Sequence, residues 1–131
     1  MAAALLLDAS VFIAAEAGRP LRQRPEGEAR VSVVTLAELR LGVLRSEGAV
    51  RQLREATLAA ARRFLPMPVD EHVADELAAL LAKLRASQRR SKAFDCLIVA
   101  TALAHDLTVV AQDTDFQELR EVEPRLSIAL V

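Results

Sequence analysis

The sequence predicts an α/β fold, a three-layer α/β/α sandwich around a central, mostly parallel sheet. Three observations predict it. Short continuous apolar runs at 5–7, 31–34 and 107–111 have the texture of strands buried on both faces. Longer segments with apolar residues at helical spacing lie between them, and strands alternating with helices imply a parallel sheet covered on both sides. Residues of hydrophobic type make up 53% of the 131-residue chain, enough for one well-buried core spanning 1–131 as a single domain.

The elements follow in order. Leu5, Leu6 and Leu7 form the first strand, which stops at Asp8; residues 10–17 read as a short helix closed by Gly18 and Pro20. A polar loop with Pro25 and Gly27 leads to a second strand over 31–34. Leu36, Leu39, Val43 and Leu44 then mark a helical stripe that Gly48 breaks. A further helix covers roughly 50–63, and a Pro-limited strand covers 64–69. Asp70 is a good N-cap for a long amphipathic helix carrying Val73, Leu77, Leu80, Leu81 and Leu84. After a polar loop at 87–92, the helix 95–105 is apolar almost all round and therefore deeply buried. A strand at 107–111, a turn and short helix at 113–119 and a last strand at 127–131 complete the chain.

Composition narrows the function classes. The net charge of −1 is not that of a generic nucleic-acid coat. Of 17 basic residues, Lys83 and Lys92 are the lysines and the other fifteen are arginines, whose planar heads suit bidentate contacts to phosphate or carboxylate. Such a bias is equally what a GC-rich genome produces. Aromatics at 3%, with no Trp or Tyr, argue against base stacking as a route to nucleic-acid binding. The single Cys96 excludes an internal disulfide, suits a reducing cytoplasm and is expected to act as a small buried hydrophobe. Met1 leads through three alanines into the first strand, too short an apolar run for a signal peptide or membrane span. A cytoplasmic protein without membrane attachment is the expectation.

Chemistry concentrates in acids. Ligands of open parallel sheets bind beyond the carboxyl ends of the strands. Asp8 ends the first strand, Glu38 lies one helical turn past the second, and Asp113 and Asp115 follow the strand at 107–111. Asp95 opens the most buried helix. Each has a purely structural alternative. Thr35 and Glu38 fit a capping box, Asp95 suits a helix dipole, Asp8 could N-cap, and Asp113 or Asp115 could make an Asx-turn. Together, however, four carboxylates on one edge repel one another and raise each other's pKa unless a cation sits among them. All-oxygen donors select Mg²⁺, with Mn²⁺ able to substitute, over Zn²⁺.

The same residues carry a family resemblance. Leu5-Leu6-Leu7-Asp8-Ala9-Ser10 resembles the opening of PIN-domain proteins, and Val33-Val34-Thr35-Leu36-Ala37-Glu38-Leu39 with Gly42 resembles their second motif. The stretch from Phe94 and Asp95 to Ala102 resembles the third, and that from Leu107 to Phe116 the fourth. The match runs in order through nearly the whole chain and is nearest to the VapC toxins of bacterial toxin–antitoxin pairs. The resemblance implies a PIN-like sandwich, Mg²⁺-dependent endoribonuclease activity on RNA of the tRNA or rRNA class, homodimerisation, and neutralisation by a cognate antitoxin, with a toxin–antitoxin hetero-oligomer as the other assembly. Asp8, Asp95 and Asp113 are expected to hold the metal, Glu38 to bind it through a water or orient the attacking water, and Ser10 and Asp115 to support them. The fourth motif offers two acids, and Asp113 is favoured over Asp115.

Arg85, Arg89, Arg90 and Lys92 precede Asp95 and are expected to supply an RNA-binding rim; a solvated basic loop is the alternative. His105, at a helix end, suits the dipole there, and both it and His72 read as structural. Two other enzyme classes fail on residues. A receiver domain needs an acid beside the first-strand Asp, where Ala9 stands, and a late Lys, but none follows Lys92. A phosphatase of the haloacid dehalogenase type wants Asp-x-Asp, and Ser10 holds the second place. A non-catalytic PIN-like module that binds RNA or protein remains the rival, and the intact acid set speaks against it.

Overall fold

The computed structural model describes residues 4–131; Met1 to Ala3, expected to lead into the first strand, lie outside the described residues. Strand β1 (Leu5–Leu7) sits at the centre of the sheet, parallel to β2 (Ala29–Ser32) on one side and β4 (Thr108–Ala111) on the other. Strands β3 (Leu65–Met67) and β5 (Ser127–Leu130) pair outside these, also parallel, giving the order β3-β2-β1-β4-β5. The mostly parallel sheet expected is wholly parallel among the described residues. Pro66, which has no N–H to donate, falls on the edge strand β3, where a missing donor is tolerated.

Alternation along each strand explains the three layers. Leu6, Val109 and Ala111 face a core with Leu80, Leu84, Ile98, Val99, Phe116 and Leu119. Those partners come from α4 (Glu71–Ala86), α5 (Ala93–His105) and α6 (Asp115–Val122). Leu7 and Val31 face a second core with Phe12, Leu39, Val43 and Leu58. These belong to α1 (Ala9–Glu16), α2 (Val33–Leu44) and α3 (Gly48–Ala61). The edge-on pair of Phe12 and Phe64, with ring centroids 5.8 Å apart, closes that side.

Three boundaries differ from the sequence reading. The second strand ends at Ser32, and Val33 and Val34 are already helical. The cause is Ser32 itself, whose Oγ accepts a hydrogen bond from the Val34 N–H at 3.0 Å and N-caps α2. Capping outweighs the strand preference of two β-branched residues. Thr35 is therefore no N-cap, and the Thr35–Glu38 capping box does not form. In α5 the helix starts at Ala93, so Asp95 lies within its first turn. Gly48, with φ of +60°, opens α3 two residues earlier than expected and lets the chain turn sharply out of α2. Asp70 caps α4 as expected, its Oδ1 accepting from the Val73 N–H at 2.8 Å. Among the described residues no helix is long and apolar enough to cross a membrane.

Candidate active site

The strand order reverses direction between β1 and β4: the chain first builds outward through β2 and β3, then returns to the other side of β1. Crevices open at the carboxyl ends of the strands at such a switch point. Here a cleft of about 420 Å³ lies there, and Asp8, Glu38, Asp95, Asp113 and Asp115 all line it. Asp8 arrives from the end of β1, Glu38 from α2, Asp95 from the first turn of α5, and the last two from the turn after β4. The topology thus brings together every acid singled out from the sequence.

Asp8 is held most firmly. It is 6% exposed, its backbone N–H donates to Val110 O at 2.9 Å, and its Oδ2 accepts from the Ser10 N–H at 3.1 Å as the N-cap of α1. The same side chain caps α1 and lines the cleft. Burial raises its pKa and Asp113 adds to the rise, while hydrogen bonds from Ser10 oppose both. Glu38 is pushed up to about 7, first by burial and then by the charges of Asp8 and Asp95; Lys92 pulls the other way. Asp95 is pushed up to about 6 by burial, Asp8 and Asp115, again opposed by Lys92. Asp113 Oδ1 accepts from the Asp115 N–H at 3.3 Å, so the Asx-turn also exists.

The donor chemistry fits a hard divalent cation. Every acid offers oxygen, and Glu38 Oε1 is buried with no hydrogen-bond partner. Burial and mutual repulsion hold three of the carboxyls toward their protonated forms, and a cation among them would relieve both. Among the described residues no three His, Cys, Asp or Glu side chains already stand close enough together to hold an ion. The acids share the cleft but remain spread across it.

The supporting residues divide. Ser10 Oγ accepts from the Gln112 N–H at 3.0 Å, fastening the turn that carries Asp113 to the start of α1. Sequence reasoning missed this tie, since nothing in the local pattern links positions 10 and 112. Lys92 lines the cleft and stands 3.9 Å from Asp115. Arg85, Arg89 and Arg90 instead line a neighbouring depression with Leu81 and Leu84, and Arg89 pairs with Glu121 at 2.7 Å. Of the four basic residues, Lys92 alone faces the acids. Sequence reasoning also missed Ile13 and Phe94, which form apolar parts of the cleft wall. Their places, one helical turn past Ala9 and immediately before Asp95, are the signal that could have found them. His105 does more than meet a dipole: its Nε2 lies 3.1 Å from Asp70 Oδ2, joining the end of α5 to the cap of α4. Cys96 is buried, as expected.

Comparison with known proteins bears on this geometry. The PIN domain family model matches residues 5–122. Ribonuclease VapC4 of Mycobacterium tuberculosis is 46% identical over 122 residues, covering 90% of this chain and 92% of the relative. The chain belongs to the PIN-domain family, in its VapC branch. Ribonuclease VapC5 of the same organism is 43% identical over 120 residues, 89% of this chain and 88% of the relative. In the crystal structure of VapBC-5, a toxin–antitoxin system of M. tuberculosis, a chain 36% identical superposes with a TM-score of 0.86 over 98% of this chain and 99% of its own length. VapBC2 of Rickettsia felis, bound to a DNA fragment from its promoter, shares the PIN fold at 18% identity and a TM-score of 0.79, covering 98% of both chains. In this VapC-branch chain all four motifs of the sequence reading meet at one cleft.

Proposed function

We propose that this protein is the toxin of a toxin–antitoxin pair, a Mg²⁺-dependent endoribonuclease acting on RNA of the tRNA or rRNA class. The observation that carries the reading is the cleft: four acids from separate elements converge at the sheet's switch point, with one buried carboxylate oxygen left without a partner. Relatives named ribonuclease VapC and neighbours solved as VapBC complexes support the class of activity and an antitoxin partner.

Asp8, Asp95 and Asp113 would hold the metal. When bound, a divalent cation lowers the pKa of water and neutralises charge on the scissile phosphate. Glu38 would orient the attacking water and take its proton as general base. Asp113 is the fourth acid on this reading because its charge bears on Asp8, Glu38 and Asp95, whereas Asp115 bears on Asp95 and not on the other two, and lies beside Lys92. Ser10 positions Asp8 and the Asp113 turn together. Lys92 would meet the phosphate backbone at the mouth of the cleft. An antitoxin could neutralise the enzyme by placing an Arg or Lys among the same carboxylates, in competition with the metal.

The test is cleavage of tRNA and rRNA by the purified protein with and without Mg²⁺. Asp8→Asn and Asp95→Asn should each lower the rate by more than about a hundredfold, since metal charge stabilisation contributes several kcal/mol. RNA binding and folding should persist. Glu38→Gln should be inactive yet folded, and full activity in that variant would remove its assigned role. Absent cleavage by the parent would leave the RNA- or protein-binding module as the better reading, and metal-independent cleavage would remove the metal role assigned to the acids.

A further inference from the structure

The cleft is not uniformly acidic. Phe94 and Ile13 lie in its wall, and they are 43% and 46% exposed. Exposure alone does not single them out, since Leu44, Val50, Leu53 and Leu65 are more open; their place in the lining of a charged cleft does. Phe94 stands out further among the aromatics. The chain has four phenylalanines. Phe12 and Phe116 are buried at 8% and 1%, and Phe64 packs on Phe12. Phe94 alone offers a largely open ring, and it does so between Lys92 and Asp95 on the sequence, at the N-terminus of α5.

We infer that Phe94, with Ile13 in the lining of the same cleft, forms a shelf on which an unpaired nucleobase of the RNA stacks while its phosphate lies at the acids. This deepens the ribonuclease reading and rests on it. Three features favour a nucleotide here. Lys92 and the acids address a phosphate and a cation, while Phe94 and Ile13 address something flat and apolar, and a nucleotide carries both ends. The cleft, about 420 Å³, falls in the range of about 300–1,000 Å³ that holds small ligands. Bases within a duplex keep their faces covered, so a stacking shelf selects loops, bulges and ends. The stacking face is sequence-tolerant, which places the shelf's selectivity in strandedness more than in base identity. The scarcity of aromatics in the chain argues against many stacking platforms; the structure puts one at the site.

The test separates stacking from cleavage. Binding is measured by fluorescence anisotropy on the Asp95→Asn background, which leaves the RNA uncut. The probes are a short oligoriboadenylate and a ribose-phosphate oligomer of the same length without bases. Phe94→Ala should weaken binding of the oligoriboadenylate about tenfold, within the range for loss of one aromatic stack. It should leave the abasic oligomer unchanged, and Phe94→Tyr should bind both as the parent does. With Asp95 restored, Phe94→Ala should lower kcat/KM on single-stranded RNA by a similar factor and act less on duplex. Equal weakening of both oligomers, or no weakening of either, overturns the shelf. Unaltered RNA binding with loss of antitoxin inhibition would assign Phe94 to the protein partner and overturns it too. A parent that binds oligoriboadenylate through Phe94 yet cuts no RNA would sink the ribonuclease reading alone.

Discussion

Two groups of buried charge in this molecule use the same residue types to opposite effect. At the end of α6, Glu123 is 2% exposed and fully engaged. Arg125 Nε donates to its Oε1 at 2.8 Å, Lys83 donates to its Oε2, and Arg125 also pairs with Glu76 at 2.9 Å. The Arg125 hydrogen bond, with help from Lys83, pulls the Glu123 carboxyl down to about 2 despite its burial. In the cleft, Glu38 and Asp95 are pushed up to about 7 and about 6, by burial first and then by neighbouring carboxylates that outweigh Lys92. Burial alone does not mark function, since Glu123 is buried and Glu38 and Asp95 are half-buried. The direction in which the neighbours push does, because an uncompensated cluster persists only where something outside the chain completes it.

The sharpest way to test the contrast is to supply that missing charge. Mg²⁺ at a hundredfold excess over its Kd should stabilise the parent by about 2.7 kcal/mol. That is a rise of roughly 10 °C in melting temperature for a chain of this size. Asp95→Asn should abolish the rise while being no less stable than the metal-free parent. A clear loss of metal-free stability in Asp95→Asn would mean that its carboxylate serves the α5 dipole instead.

Breaking the satisfied cluster should do the reverse. Glu123→Gln removes two cationic partners, and Lys83 and Arg125 can turn to water, so the expected loss is about 2 kcal/mol in urea unfolding. RNA cleavage below the unfolding transition should be unchanged. A parallel fall in activity would show that the two regions are coupled.

The smallest effect is in pH. For Glu38 and Asp95 the folded pKa lies above the unfolded value, so the folded state holds extra protons between about 4 and about 7. Metal-free stability should therefore fall as pH rises through that window, by about 1 kcal/mol after relaxation and screening. Glu123 has the opposite sign: its contribution is present above the unfolded value of 4.5 and is lost as pH falls toward 2. Guanidinium melts from pH 4 to 8 should show the first slope without Mg²⁺ and lose it with Mg²⁺. A slope unaffected by metal would place its origin outside the cleft.

Much of this was legible in the sequence because it is local. The uninterrupted Leu5, Leu6 and Leu7 announce a strand buried on both faces, and Asp8 at its end could be read directly as a helix cap lying at the carboxyl edge of the sheet. Asp70 ahead of the Val73 and Leu77 stripe marked α4 correctly. Two features of the structure were not legible in this way. Val33 and Val34 look like strand, but one serine hydroxyl at Ser32 turned them into helix. Arg85, Arg89 and Arg90 precede Asp95 in sequence, yet the end of α4 and the loop after it set them along a neighbouring depression.

By itself the sequence determined the α/β class, the parallel sheet, the acids and the family, since periodicity, capping and motif order are properties of neighbours along the chain. Only the tertiary structure decided which groups share a space. It set Ser10 against Gln112, His105 against Asp70, and Phe94 into the wall of the acidic cleft. Those pairings depend on where β4 and α5 come to rest against β1, which hydrophobic burial of the two cores fixes for the chain as a whole. Burial is non-directional and long in sequence range, so no local pattern encodes the meeting of residues a hundred positions apart.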